Sequence, residues 1–172
     1  MIHAGGILFY DDKGIWVIKE YHKDIYKISD PGGKYTFEDC NIYATIVREF
    51  NEETYYSFPF SYFDLINLIE KKKCKFIYVC LDNEKNPTYL CILVNIKDTN
   101  IIFDETFKTN RQKALENNPH IPNRYYSSFE FLRINFKDIN LFWSYFNYRL
   151  KQVVYKTFLK KYLGSPMIIS KE

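Results

Sequence analysis

The chain has 172 residues, enough for one domain with a proper core and no need of disulfides or a structural metal. Its net charge of +3 is too small to announce a nucleic-acid binder, and its cysteines, Cys40, Cys74, Cys80 and Cys91, contain no C-x-x-C pair, so neither a zinc site nor a dithiol redox motif is supported. The opening MIHAGGILFYDD has no basic lead-in and no apolar run approaches the ~20 residues of a membrane helix, which leads us to expect a cytoplasmic or nuclear protein with reduced thiols and no membrane partner.

Taken in order, Ala4 to Tyr10 and Ile15 to Tyr21 read as two strands joined by the turn residues DDKG, and Tyr26 to Ser29 as a short third strand. Gly5-Gly6 is not followed by Lys-Ser/Thr or a helix, so the pair reads as small residues in a crowded strand rather than as a phosphate loop. Asp30-Pro31-Gly32-Gly33 is a turn whose glycines let backbone approach a ligand. A helix follows, with Asp39 or Asn41 as its cap and Tyr43, Ile46, Val47 and Phe50 on one side.

That helix carries the chemistry. Glu49, Glu52 and Glu53 stand at i, i+3 and i+4, so three carboxylates share one patch of its surface. Like charges so close repel unless a cation offsets them, and a hard divalent ion such as Mg²⁺ or Mn²⁺ suits oxygen ligands of this kind. Arg48 precedes Glu52 by four residues, a spacing that favours an ion pair.

Beyond it, Phe63 to Lys73 reads as an amphipathic helix or a strand edge. Phe76 to Leu81 and Thr88 to Ile96 read as paired strands across a turn at Asp82 to Pro87. Lys97 to Arg124 is polar, with a short helix around Arg111 to Glu116, and Tyr125 to Asn135 is a further strand. From Ile139 to Leu163 apolar residues recur at helical spacing, which predicts one long closing helix; Arg149, Lys151, Lys156, Lys160 and Lys161 read as its solvated face.

These residues resemble the signature of the Nudix hydrolases, G-x5-E-x7-R-E-U-x-E-E-x-G-U, where U is a bulky apolar residue. Gly33 opens the motif, Asp39 stands where its first glutamate is expected, and Arg48-Glu49-Phe50-Asn51-Glu52-Glu53 matches its core. There are three departures: Asp39 replaces glutamate, eight residues rather than seven separate it from Arg48, and Tyr55 stands at the last glycine, which implies a different end to the helix. The resemblance implies an α/β (α+β sandwich) fold, a mixed β-sheet packed between helices, as a single domain over 1–172.

It also implies a metal-dependent pyrophosphohydrolase that cleaves a diphosphate linkage in a nucleoside-diphosphate derivative with Mg²⁺ or Mn²⁺ as cofactor. Glu49, Glu52, Glu53 and the Gly32 carbonyl are then the metal ligands, Glu49 and Glu53 the catalytic carboxylates, and Arg48 and Gly33 the orienting residues. Asp39 stays open between metal ligand and helix cap. Asp104, Glu105 and Glu116 are minor candidates for a base from a late loop. A capped RNA 5′ end is one conceivable substrate, given the Lys71 to Lys75 cluster and the basic closing helix. The alternative is a catalytically weak module of the same fold that binds a nucleotide, an RNA cap or a protein; a homo-oligomer is compatible with either.

Overall fold

The computed structural model describes residues 2–22, 25–80, 87–117 and 128–159. Strands β1 (Ala4–Tyr10) and β2 (Gly14–His22) are joined by a turn in which Asp11 Oδ1 accepts from the amides of Lys13 and Gly14, both at 2.8 Å. β3 (Ile25–Ser29) follows, and then β4 (Gly32–Lys34), a short strand where the sequence suggests only a turn. Helices α1 (Ile42–Glu53) and α2 (Tyr62–Glu70) precede β5 (Cys74–Val79) and β6 (Tyr89–Asn95). The second half holds α3 (Thr106–Asn117), β7 (Ser128–Asn135), a single turn α4 (Ile139–Phe142) and α5 (Tyr148–Val154), which runs into a π-helical turn over Tyr155–Leu159.

The seven strands of the described residues belong to one mixed sheet, and its topology makes a fork. β6 runs parallel to β1 along its whole length, from Ala4 opposite Tyr89 to Tyr10 opposite Asn95. The other edge of β1 is therefore shared: Ala4–Gly6 pair with β4, and Phe9 and Tyr10 pair with β2. In between, β1 and β2 part, and the Ile7 amide donates to the Pro31 carbonyl at 2.9 Å. β2 then leans away to pair with β3 on one edge and β7 on the other. Asp30 and Pro31 carry the chain across the opening, from β3 to β4.

Alternation along the central strands sends side chains to both faces. Ile7, Phe9, Leu90, Ile92 and Val94 pack under α1 and α2 with Ile46, Phe50 and Leu65. Leu8, Tyr89, Cys91 and Leu93 pack against α5 with Leu150, Val153 and Val154. The sheet lies between helices, as the sequence implies. Phe50 is fully buried against Phe9 at a ring separation of 5.2 Å, so its truncation to alanine costs about 3–5 kcal/mol.

Several elements differ from expectation. The segment 62–70 is a helix rather than a strand edge, because Ser61 and Asp64 form a capping box that starts one. α3 begins five residues before the expected Arg111. The long closing helix does not form: Phe146 is extended and bridges to Ile28, and the Asn147 amide donates to the Ile28 carbonyl at 2.9 Å. Asn147 then caps α5, its Oδ1 accepting from the Leu150 amide at 2.8 Å. The apolar spacing misleads because the short helices on either side of the break bury the same side. Residues 81–86, 118–127 and 160–163 of the expected elements lie outside the described residues.

Candidate active site

Helix α1 is set by its two ends. Asn41 caps it, with Oδ1 accepting from the amides of Tyr43 at 2.9 Å and Ala44 at 3.1 Å; Asp39 does not serve as the cap. At its exit the Tyr55 amide donates to Glu52 O at 3.0 Å and the Tyr56 amide to Asn51 O at 2.7 Å, the paired bonds of a Schellman ending. Tyr55 and Tyr56 both have φ of 53°, the left-handed region that costs an L-residue about 1–2 kcal/mol. The expectation of a different helix end at Tyr55 is thus corrected: the exit a glycine would give is made by tyrosine. It is held by the Tyr55 hydroxyl, which donates to Ser128 O at 2.6 Å, and by the Tyr55 ring against Phe107.

Between those ends, Arg48 is a hub. Its Nη1 donates to Glu49 Oε1 at 2.9 Å and to Glu52 Oε2 at 3.0 Å, and its Nη2 to Lys34 O at 3.1 Å. Nε and Nη2 grip the two oxygens of Asp39, both at 3.0 Å. Asp39 is buried, and its Oδ2 also accepts from Thr45 Oγ1 at 2.8 Å and the Thr36 amide at 3.2 Å. The Arg48 guanidinium, with Thr45 and Thr36, holds the Asp39 carboxyl well below the usual carboxylate range; Asp39 in return holds the Arg48 charge. Asp39 is thus the anchor of Arg48, a partnership that a cap or metal-ligand reading does not contain.

Glu49 and Glu53 meet the glycine strand from above. Glu49 lies against Gly33 so closely that a β-carbon at residue 33 would overlap its carboxyl group. Glu53 Oε2 accepts from the Gly32 amide at 2.7 Å. A β-carbon on Gly32 would come 2.5 Å from Gly5 O, Gly6 Cα and Tyr89 Oη, so the fold requires glycine there, whereas at Gly33 glycine makes room for the Glu49 carboxyl alone. Burial raises the carboxyl of Glu49 against the pull of Arg48, and pushes that of Glu53 well above the ordinary range. Glu52 is the open member of the triad, with 47% of its side chain exposed.

Arg149 meets the same strand from below. The sequence places it on a solvated face; in the structure its guanidinium is inside, bonded to Asp30 and Gly32. Asp30 is fully buried and accepts from the Tyr89 hydroxyl at 2.6 Å. Asp30 is legible only as a turn residue and Tyr89 only as a strand aromatic, so no spacing signal points to this group. Burial opposes the Arg149 charge, but Tyr89, Asp30, Glu53 and Glu20 outweigh it and hold Arg149 protonated.

The donor set fits a hard divalent ion in chemistry: three carboxylates and the Gly32 carbonyl, all oxygen, with Glu49 seated in space that only glycine leaves open. As the side chains stand, with Arg48 between Glu49 and Glu52, no three His, Cys, Asp or Glu of the described residues are gathered at metal-holding distances. The late-loop candidates are engaged locally. Asp104 accepts from the Thr106 amide, Glu105 pairs with Lys108 at 2.7 Å, and Glu116 accepts from Gln112. In the lysine cluster, Lys73 pairs with Asp98 at 3.2 Å.

This forked sheet between helices is the Nudix hydrolase fold. Over 94% of its length the chain is similar to a bifunctional NMN adenylyltransferase/ADP ribose pyrophosphatase of Francisella tularensis, solved with AMP and a manganese ion (TM-score 0.53, 16% identity); it spans 42% of that protein. Over its whole length it is similar to a Nudix hydrolase of Nitrosomonas europaea (TM-score 0.50, 13% identity), of which it covers 97%. At these identities the likeness establishes the fold. No protein-family model matches the sequence, and no curated protein does.

Proposed function

We propose that the chain is a single-domain, metal-dependent Nudix-type pyrophosphohydrolase acting on a nucleoside-diphosphate derivative. The observation that carries this reading is the pair Glu49 and Glu53, held by burial and by Gly32-Gly33 at the start of β4, in a fold that hydrolases share. Glu49, Glu52, Glu53 and the Gly32 carbonyl would hold Mg²⁺ or Mn²⁺. Such an ion, when bound, neutralises charge on bridging phosphates and lowers the pKa of a water.

The protein's own residues supply the rest. A carboxylate whose proton affinity is raised by burial is a better base near neutral pH than an exposed one, which favours Glu53 or Glu49 as proton acceptor. Arg48, anchored on Asp39, fixes Glu49 and Glu52 against each other. The reading carries a cytoplasmic location with it. Among the described residues no helix is long and apolar enough to cross a membrane.

One observation favours a second reading, a binding module of the same fold with weak or no turnover. Arg48 contacts Asp39, Glu49 and Glu52 together, so the acidic patch is offset from within and does not depend on a metal for its stability. A screen of diphosphate compounds, including m7G-capped RNA, with Mg²⁺ and Mn²⁺ separates the two. The hydrolase reading expects product release that Glu53→Gln abolishes in a folded protein. Binding without release in either metal supports the module, and undiminished turnover by Glu53→Gln removes the site assignment.

A further inference from the structure

Gly32 is the point where the two layers of the molecule meet. Its amide donates up to Glu53 on α1, and its carbonyl accepts from below, from Arg149 Nη2 at 3.1 Å. The same Nη2 donates to Asp30 O at 2.8 Å, while Nε donates to Asp30 Oδ1 at 3.0 Å and the guanidinium carbon lies 4.8 Å from the centre of the Tyr89 ring. Asp30 is in turn fixed through its other oxygen by the Tyr89 hydroxyl. One planar cation therefore spans both ends of the Asp30–Gly32 crossing and stacks on the strand beneath it. A lysine, with a compact charge and no plane, does not reproduce that span.

We propose that Arg149 is a positioning residue of the site: it fixes the Gly32 carbonyl and, through the Asp30–Gly32 segment, the depth at which Glu53 presents its carboxylate to a divalent ion. This rests on the hydrolase reading, in which Gly32 and Glu53 are ligands. The Gly32 carbonyl has two lone pairs, and Arg149 uses one of them. The competing role is purely structural, an ion pair that pins α5 to the crossing with no bearing on the site above it.

The two roles separate on metal affinity. Mn²⁺ is titrated into the metal-free full-length protein and free Mn²⁺ is followed by electron paramagnetic resonance, alongside a thermal melt. The proposal expects Arg149→Lys to weaken Mn²⁺ binding by about 10–100-fold, as outer-shell substitutions do, in protein still folded at the assay temperature. Asp30→Asn, which loosens the anchor and leaves Glu53 intact, is expected to weaken it in the same direction. Wild-type affinity in both variants, with binding lost in Glu53→Gln, overturns the proposal and leaves the hydrolase reading in place. No Mn²⁺ binding by the wild type removes both.

Should these variants fail to fold, a measurement on the wild type still exposes the proposal to refutation. Bound Mn²⁺ is expected to broaden the Arg149 Nε–H resonance well before that of Arg133, which pairs with Asp11 at the β1–β2 turn. An Arg149 signal that survives saturating Mn²⁺ overturns the proposal.

Discussion

Glu49 occupies the space that a side chain at residue 33 would need: a β-carbon on Gly33 would overlap the Glu49 carboxyl carbon and both of its oxygens. The overlap falls on the free end of a flexible side chain, so the fold can tolerate it and the carboxylate cannot. Gly33→Ala is therefore expected to keep its melting temperature within a few degrees while pushing Glu49 out of place. Product release in the diphosphate screen should fall at least tenfold, a loss of about 1.4 kcal/mol in the transition state. A variant with full turnover would show that the position of Glu49 is immaterial.

Asp39 predicts an acid limb of stability. Its folded-state pKa lies below the unfolded value, so its contribution is present above about pH 4 and disappears as pH falls through the folded value. Asp39→Asn removes the charge under Arg48 and should destabilise the protein at pH 7 by about 2–3 kcal/mol, at the lower end for a broken, partly buried pair. Thermal melts at stepped pH should show the wild type and the variant converging below pH 4. A constant gap down to pH 2 would mean that the Asp39 charge has no part in it.

Glu53 carries the opposite sign. Burial raises its folded-state pKa, so its contribution to stability is greatest below about pH 4.5 and is lost as pH rises through the folded value. Glu53→Gln should thus be inactive and, at pH 8, no less stable than the wild type, read from denaturant melts. A variant clearly less stable than wild type at pH 8 would mean that the Glu53 charge is compensated by Arg149 in full.

The helix exit separates two adjacent tyrosines. Tyr56 is 61% exposed, so Tyr56→Gly relieves the left-handed strain at little loss of contact. After the extra freedom of glycine in the unfolded chain, a gain of about 0.5 kcal/mol is expected. Tyr55→Gly relieves the same strain but gives up the bond to Ser128 and the packing on Phe107, and should lower stability. Denaturant melts that rank the two variants the other way would contradict this account of the exit.

Much of this was legible in the sequence, and the limits have physical causes. The strands β1, β2, β3 and β6 follow from short apolar runs between turn residues, and α1 from the period of Ile46, Val47 and Phe50. The pairing of Arg48 with Glu52 follows from helical spacing, because that partner lies one turn along the same helix. Arg149 lies 119 residues from Asp30, and no periodicity encodes a contact that the fork of the sheet alone brings about. The closing helix failed for the same reason: Asn147 gives its amide to β3, a partner outside the local pattern.

Gly32 gives the site a property of timing as well as of place. Loops that bind substrate are commonly among the first parts of a protein to open, which lets them fray and re-form while the globule stays intact. Here the crossing from β3 to β4 is fastened to α1 by an amide and to α5 by a carbonyl, so it is held even where one of the two layers loosens. The Gly32 amide should accordingly exchange its proton with solvent as slowly as the amides of β6. On that account β4 comes apart when the whole molecule does, and in the hydrolase reading substrate is admitted by the side chains of α1 and the surrounding loops rather than by any loosening of the backbone beneath them.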